Sequence, residues 1–208
     1  MSRKTNINTL RSASIRELDG LEKRFSEFEM TLSDSQYGLL RWISSMAIVE
    51  LHSIWERYAE NRLIYSLNHH PGKFIEKNGI QGLSAIPKGL SCIIVRGGAK
   101  YFDFRSVEDL IRKGNNFLET NNPFAQLKGT DERKYLDTIS AIRNYVSHKS
   151  RFSQKSYKES LRISFSVKSV PEPDEFLNAK DNRMGSPAKG RKRIYVLIEI
   201  VRSAVKMC

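Results

Sequence analysis

The chain has 208 residues, of which 39% are hydrophobic and 28% are charged. These values are typical of a globular domain and exclude a disordered or fibrous chain. No apolar run approaches the ~20 residues that a membrane span needs, and we see no signal peptide, so we expect a cytoplasmic protein without membrane contact. The two cysteines, Cys92 and Cys208, are far apart and predict neither a disulfide framework nor a zinc site.

The net charge of +12 is concentrated late in the chain. Between Ala141 and Arg193, thirteen Lys and Arg residues stand against five Asp and Glu, which is two thirds of the excess charge. A polyanionic partner explains this surplus, because cations that contact phosphates release bound counterions. A solvated surface that keeps the protein in solution explains it equally well. Charge alone does not separate RNA from DNA or an anionic membrane.

Two long segments have apolar residues at every third or fourth position and predict amphipathic helices. The first segment covers Ile7 to Met30. The second runs from about Ser35 to Leu67, with Ser33 and Gln36 as a capping signal before it and Pro71 beyond its end. A helix of this length, antiparallel to the first, forms the spine of a helical bundle.

Residues 72–103 are rich in glycine and predict an irregular insertion. The apolar run from Cys92 to Val95 inside it predicts a strand or a plug against the bundle. Two more helices follow, one capped by Ser106 and the other opening at Gly129-Thr130. Each has two acidic residues in its first turn, where their negative charge interacts favourably with the helix dipole.

Beyond the fourth predicted helix the pattern changes. A two-residue alternation predicts a strand or short hairpin over Leu161, Ile163, Phe165 and Val167. A polar, basic loop covers about 178–193, and apolar residues from Ile194 to Val205 predict a last helix. We therefore predict a single all-α domain over 1–208, a helical bundle with a Gly-rich insertion and a short strand or hairpin.

The fourth predicted helix ends in Ala141-Ile-Arg-Asn-Tyr-Val-Ser-His148, which holds the strongest candidate for a catalytic site. Helical residues advance by about 100° each, so Asn144 and His148 share a face and Arg143 lies on the adjoining strip. The helix dipole favours the protonated form of His148, and histidine acts as acid or base near physiological pH. The Arg143 guanidinium offers a flat fork for phosphate oxygens.

RNA cleavage by its own 2′-hydroxyl needs these two groups. A base takes the hydroxyl proton, and a cation stabilises the charge that develops on the phosphate. The reaction needs no metal ion or cofactor, and Asn144 is placed to orient His148 or to hold a phosphate oxygen. Arginine and histidine also meet near helix ends by chance, where histidine caps backbone carbonyls, so the residues by themselves leave both interpretations open.

Arg143-Asn-Tyr-Val-Ser-His148 resembles the Arg-x4-6-His motif of the HEPN superfamily, in the common form with asparagine directly after arginine. Ile48-Val-Glu-Leu-His-Ser-Ile-Trp-Glu-Arg-Tyr58 is similar to the second helix of prokaryotic HEPN domains. It most resembles the group associated with RiboL-PSP domains, in which an acidic residue precedes an aromatic one, as Glu56 precedes Tyr58. The likeness covers roughly residues 7–151.

The resemblance implies an all-α bundle that forms a homodimer, with the two motifs facing each other across the interface. It implies a metal-independent endoribonuclease with Arg143 and His148 as catalytic pair, Asn144 in support and Glu56 near the site. Many such proteins act in toxin–antitoxin, abortive-infection or other antiviral systems, so RNA and an antitoxin or defence-system protein are the expected partners. Some carry a tyrosine two residues after the histidine, which a partner enzyme modifies, but Ser150 stands here.

Contacts with RNA phosphates are expected from the basic residues that follow the motif, namely Lys149, Arg151, Lys155, Lys158, Lys189, Arg191, Lys192 and Arg193. Two other functions stay open. One is a catalytically silent HEPN module that binds RNA or a partner protein, and the other is a DNA-binding accessory protein, which rests on charge alone.

Four residues of the second helix have other possible roles. His52 and Glu56, four apart, could bind a metal, but without further ligands a hydrogen bond on the helix surface is the better interpretation. Trp42 and Trp55 are predicted to lie in the core or in an interface.

Overall fold

The structure is a computed structural model that describes residues 6–32, 34–118, 122–183 and 189–208. These residues form nine α-helices and two short 3-10 segments (Asp34–Gln36 and Pro123–Leu127), without a strand among them. The predicted all-α class is therefore confirmed. The helices are α1 (Ile7–Thr31), α2 (Tyr37–His69), α3 (Gly72–Lys77), α4 (Lys88–Arg96), α5 (Val107–Phe117), α6 (Asp131–His148), α7 (Arg151–Phe165), α8 (Pro173–Asn178) and α9 (Arg193–Met207).

The central helix is α2, and α1, α4, α6, α8 and α9 all pack against it. Its fully buried side chains include Ile48, Leu51, Trp55, Tyr58 and Leu63. Apolar residues occupy most of its circumference, as expected for a helix that has neighbours on several sides. The packing of α6 on α2 brings the Arg143–His148 motif next to the segment from Ile48 to Tyr58 of α2.

The last helix closes the bundle beside the first. Tyr195 near the start of α9 donates a hydrogen bond to Glu29 near the end of α1, at 2.7 Å between Oη and Oε2. Arg202, two turns later, reaches Asp19 at 2.8 Å between Nη2 and Oδ1. Because the sequence order of these contacts is reversed between the two helices, α9 runs antiparallel to α1.

Side-chain caps begin α5 and α6 at the predicted residues. Ser106 Oγ accepts a hydrogen bond from the backbone nitrogen of Asp109 at 3.2 Å. Thr130 Oγ1 accepts one from the backbone nitrogen of Arg133 at 3.4 Å. Each cap satisfies an amide that has no partner inside its helix. Ser33, the predicted cap before α2, lies outside the described residues.

The Gly-rich insertion is more regular than predicted, because it contains α3 and α4. A strand at Cys92 to Val95 is wrong, since these residues belong to α4. The helix starts after Pro87 and ends at Gly97, whose φ of 61° allows the left-handed C-cap. Ser91 and Val95, one turn apart, are buried, and α4 packs on α2. A short apolar run does not by itself distinguish a strand from a helix.

The predicted strand or hairpin after α6 is also wrong, because Leu161 and Phe165 belong to α7. They lie four residues apart and are buried, whereas Ile163 between them is 64% exposed. The helical period therefore determines the structure, and the alternation is coincidental. A capping box at the start of α7, in which Ser150 and Ser153 each accept a hydrogen bond from the other's backbone nitrogen, also favours the helix.

Candidate active site

The Arg143–His148 motif occupies the last two turns of α6. Leu136, Ile139 and Ile142 are fully buried and fix the rotation of this helix against the core. Arg143 follows the last of these residues and is half-buried, while Asn144 and His148 are exposed. Lys149 ends the helix in the left-handed conformation with φ of 46°, so the chain turns at once into α7.

Asn144 connects the arginine to the exposed face of α6. Arg143 Nη1 donates a hydrogen bond to Asn144 Oδ1 at 2.9 Å. His148 lies four residues after Asn144 and therefore on the same side of the helix, about one turn further along. Within the described residues, the His148 side chain forms no hydrogen bond or ion pair. Its imidazole is consequently accessible to a ligand.

Arg143 also faces an open cleft of about 440 Å³ between α2, α4 and α6. Glu56, Arg57 and Glu60 of α2 line one side of this cleft, and Arg96 of α4 lines another. Residues 101–103 close it with two aromatic side chains and one carboxylate. The cleft therefore places Glu56 beside Arg143 of the motif.

Most charges in the cleft are already paired. Glu60 binds Arg96, and Arg57 contacts Glu17 at 2.5 Å and Glu50 at 3.4 Å. Arg143 differs from them, since no described carboxylate lies within 4 Å of its guanidinium. A guanidinium without a close carboxylate keeps its charge available for a phosphate.

Glu56 belongs to a buried polar chain that reaches back to α6. His52 is only 4% exposed, and its Nδ1 lies 3.2 Å from Glu56 Oε2. Its Nε2 lies 3.1 Å from Ser140 Oγ on α6. The Nδ1 contact has an ion-pair distance without hydrogen-bond geometry, and the direction of the Nε2–Ser140 hydrogen bond depends on the tautomer of His52. His52 links the two helices directly beneath the motif.

The environment of Glu56 favours its ionised form. Partial burial by itself raises the pKa of Glu56. The neighbouring His52 and the positive charge of Arg143 together lower the pKa by more than burial raises it, so the net shift is downward. The carboxylate is therefore ionised at neutral pH and adds a negative charge at the back of the cleft. Such a charge attracts the Arg143 guanidinium from beyond 4 Å and does not favour the approach of a phosphate.

Half of the predicted RNA-binding residues lie on or just before α7. Lys149, Arg151 and Lys155 are exposed, and Lys158 is half-buried. None of the four forms an ion pair with a carboxylate in the part of the chain that the structure describes. Their chain position places them immediately after His148, so the structure brings this group and the motif together.

The other half lies in the basic loop before α9 and is held against the bundle. Arg191 pairs with Glu22 at 2.6 Å and Lys192 with Glu29 at 2.8 Å, both on α1. The Arg193 guanidinium lies over the Phe176 ring, with its carbon 4.6 Å from the centroid. Among the predicted loop contacts, Lys189 and Arg191 are exposed, whereas Lys192 and Arg193 are half-buried. Among the described residues, no hydrogen bond or ion pair joins these four loop residues to the motif.

Sequence reasoning missed the roles of His52 and Ser140. It placed His52 and Glu56 in contact, which the structure shows, but on the helix surface rather than beneath the site. Ser140 lies three residues before Arg143 and is 7% exposed. A buried serine one turn before the arginine, on the side of α6 that packs on α2, is the signal that could have identified it.

Comparisons with protein-family models, with curated proteins and with solved structures find no match. In the described ranges, no group of three or more His, Cys, Asp and Glu side chains is placed to hold a metal ion. None of the helices that the structure describes is both long enough and apolar enough to cross a membrane.

Proposed function

We propose that this chain is a metal-independent endoribonuclease of the HEPN type, with Arg143 and His148 as its catalytic residues. The observation that carries the proposal is the arrangement at the end of α6. There an unpaired guanidinium is held by Asn144 at 2.9 Å, and an accessible imidazole follows on the same face as that asparagine. The resemblance of the motif supports the same assignment.

The chemistry follows from these two groups. His148 removes the proton from the 2′-hydroxyl, and the 2′-oxygen attacks the adjacent phosphorus. Arg143 stabilises the negative charge of the pentavalent transition state. The bond from phosphorus to the 5′-oxygen then breaks, and that oxygen receives a proton. The products are a 2′,3′-cyclic phosphate and a 5′-hydroxyl end, and no step needs an oxidant or a cofactor.

A homodimer is part of the proposal, and the exposed face of α2 supports it. Trp42 and Met46 are 60% and 41% exposed, which is costly for large apolar side chains in a monomer. Helical spacing puts them on the same side of α2 as Ser53 and Glu56, which line the cleft. A second copy that covers Trp42 and Met46 would therefore approach the cleft and bring two motifs together.

The decisive experiment incubates labelled RNA with purified protein in EDTA. We expect wild-type protein to cleave and to leave 2′,3′-cyclic phosphate ends, and we expect Arg143→Ala and His148→Ala to lose this activity. His70→Ala and Arg16→Ala are matched controls, because both side chains are exposed and lie outside the site. Cleavage by both motif variants at the wild-type rate would contradict the proposal. RNA binding without cleavage by wild-type protein would favour the catalytically silent module.

The HEPN resemblance also supports a biological role in a toxin–antitoxin, abortive-infection or other antiviral system, with an antitoxin or defence-system protein as partner. We expect induced expression of the wild type to arrest growth of a bacterial host, and His148→Ala to be tolerated at the same protein level. Equal toxicity of the two proteins would argue against an RNA-cleaving toxin. RNA contacts by Arg191 and Lys192 remain predictions that require their ion pairs with α1 to open.

A further inference from the structure

One side of α7 carries a straight row of cations. Arg151, Lys155, Lys158 and Arg162 are spaced by four, three and four residues. This spacing matches the helical period of ~3.6 residues, so the four side chains follow one line along the helix. With a rise of ~1.5 Å per residue, the row is about 16 Å long. We call these four residues the α7 row.

The α7 row is chemically unlike most other basic clusters of the protein. None of its members pairs with a carboxylate among the residues that the structure describes. By contrast, Arg202 of α9 contacts three carboxylates, including Glu22 at 2.8 Å. Like charges in a row repel each other and destabilise the helix slightly. A row whose cations form no ion pair with a described carboxylate is therefore suited to an external polyanion.

An exposed aromatic side chain stands at the start of the row. Phe152 is 84% exposed, the largest value among the large hydrophobic residues that the structure describes, and lies next to Arg151. It is four residues beyond His148. Aromatic side chains on basic surfaces stack on unpaired nucleobases, and this contact is available only where the bases are not already stacked in a duplex.

We propose that the α7 row is the track for single-stranded RNA, with its cations on consecutive phosphates and Phe152 stacked on the base nearest His148. The inference rests on the proposed ribonuclease function and specifies which form of RNA the site takes. A single row of cations follows one backbone, whereas the deep, narrow major groove of a duplex is closed to side chains. The track begins three residues after His148, so it would deliver a strand directly to the imidazole.

The test measures binding separately from cleavage. His148→Ala protein is titrated into a short fluorescein-labelled oligouridine, which has no secondary structure, and anisotropy is recorded over a range of salt concentrations. The row variant carries Lys155→Gln and Arg162→Gln. The control carries Lys77→Gln and Lys88→Gln, which remove the same charge from exposed residues outside the row.

We expect the row variant to bind more weakly and its salt dependence to become shallower, with the slope of log K against log salt reduced by about 1.4 for two lost phosphate contacts. The control should keep the parent slope. Phe152→Ala should weaken binding by about 5- to 150-fold without changing the slope, and Phe152→Trp should restore it. Unchanged thermal unfolding would show that these surface variants are folded.

Three outcomes of the RNA titrations would overturn the track. They are equal losses in the row and control variants, Phe152→Ala binding like its parent, or tighter binding to a labelled RNA duplex that does not depend on Phe152. Binding of anionic phospholipid vesicles in preference to oligouridine would also reject it. If wild-type protein fails to cleave but the binding results are as expected, the ribonuclease proposal fails while the α7 row remains an RNA-binding surface.

Discussion

Glu56 and His52 form a partly buried pair on α2, with 3.2 Å between Glu56 Oε2 and His52 Nδ1. The pair connects the core to the cleft, since His52 contacts Ser140 of α6 on its other side. Arg143 lies above this chain, three residues after Ser140. The buried polar contacts therefore join α2 to α6 three residues before the proposed catalytic arginine.

The lowered pKa of Glu56 makes the stability of the fold depend on pH. A carboxyl group whose pKa is lower in the folded state stabilises the fold above its unfolded pKa of about 4.3, and this stabilisation is lost as the pH falls through the folded value. We expect the free energy of unfolding of Glu56→Gln to fall less steeply than that of the wild type below about pH 5. Denaturant unfolding at a series of pH values measures this difference.

The exposed Glu76 provides the matched control for that titration. Glu76→Gln should follow the wild-type curve, because a solvated carboxyl has little effect on the folded state. Arg143→Ala should bring the pH dependence of the otherwise wild-type protein closer to that of Glu56→Gln, since it removes one of the charges that lower the Glu56 pKa. Parallel curves for Glu56→Gln and wild type would show that the pair does not contribute.

Asn144 is predicted to position the Arg143 guanidinium. Asn144→Ala removes the acceptor of the 2.9 Å hydrogen bond, and an exposed hydrogen bond contributes about 0.5–1.5 kcal/mol. We therefore expect kcat/KM for RNA cleavage to fall by about 2- to 10-fold, with stability unchanged. Ser147→Ala, in the same exposed turn, is the control and should retain full activity.

Asn144→Asp distinguishes two roles for this residue. Aspartate retains an oxygen that accepts from Arg143 but loses the amide nitrogen that could donate to His148. Activity close to wild type in Asn144→Asp would show that Asn144 acts by positioning Arg143. Equal losses in Asn144→Ala and Asn144→Asp would instead assign it to His148 or to the substrate.

Trp42 is predicted to contribute to the proposed dimer. An aromatic side chain buried at the centre of an interface contributes about 2–4 kcal/mol, so Trp42→Ser should raise the dimer dissociation constant by about 30- to 900-fold. Sedimentation velocity across a dilution series measures this constant. Cleavage per chain should fall in parallel, because the site is proposed to lie between two copies.

Ile163 is the matched control for Trp42, since it is 64% exposed on α7 and Trp42 is 60% exposed on α2. Ile163→Ser should leave the dissociation constant unchanged. A wild-type protein that stays monomeric, or a Trp42→Ser variant that dimerises like the wild type, would place the interface elsewhere or remove it.

The parts of the fold that depend on local chemistry are predictable from the sequence. The caps of Ser106 and Thr130 are predictable because each side-chain oxygen accepts a hydrogen bond from an amide only three residues later in the chain. The motif on α6 is predictable for the same reason, since the helical period alone puts Asn144 and His148 on one face.

The parts that depend on tertiary contacts are not predictable in this way. Leu161, Ile163 and Phe165 alternate with polar residues, as in a strand. Only the packing of α7 shows that Ile163 is exposed while the other two are buried. Similarly, the sequence pairs His52 with Glu56, but the burial of His52 and its contact with Ser140 require α6 to pack on α2. Long-range packing determines which of several local patterns is used.

Gly114 in α5 is the position where we predict the largest effect of adding a methyl group. A Cβ there would lie 2.6 Å from both amide atoms of Asn122. The Asn122 amide is buried, and its Nδ2 donates to the Ile111 carbonyl at 2.8 Å, so it cannot move without losing this hydrogen bond. We expect Gly114→Ala to lower the free energy of unfolding by about 1–3 kcal/mol.

Gly20, in the middle of α1, gives the opposite expectation for the same substitution. A Cβ there meets only the flexible end of Arg24, at 3.3 Å from Nη1. Gly20→Ala should therefore raise the free energy of unfolding by about 0.5–1 kcal/mol, because alanine favours the helix over glycine. Urea denaturation of the two variants and the wild type measures the sign of the change in the free energy of unfolding for each substitution. Stabilisation by Gly114→Ala would mean that Asn122 repacks freely, and the close approach of α5 to residue 122 would then have no structural role.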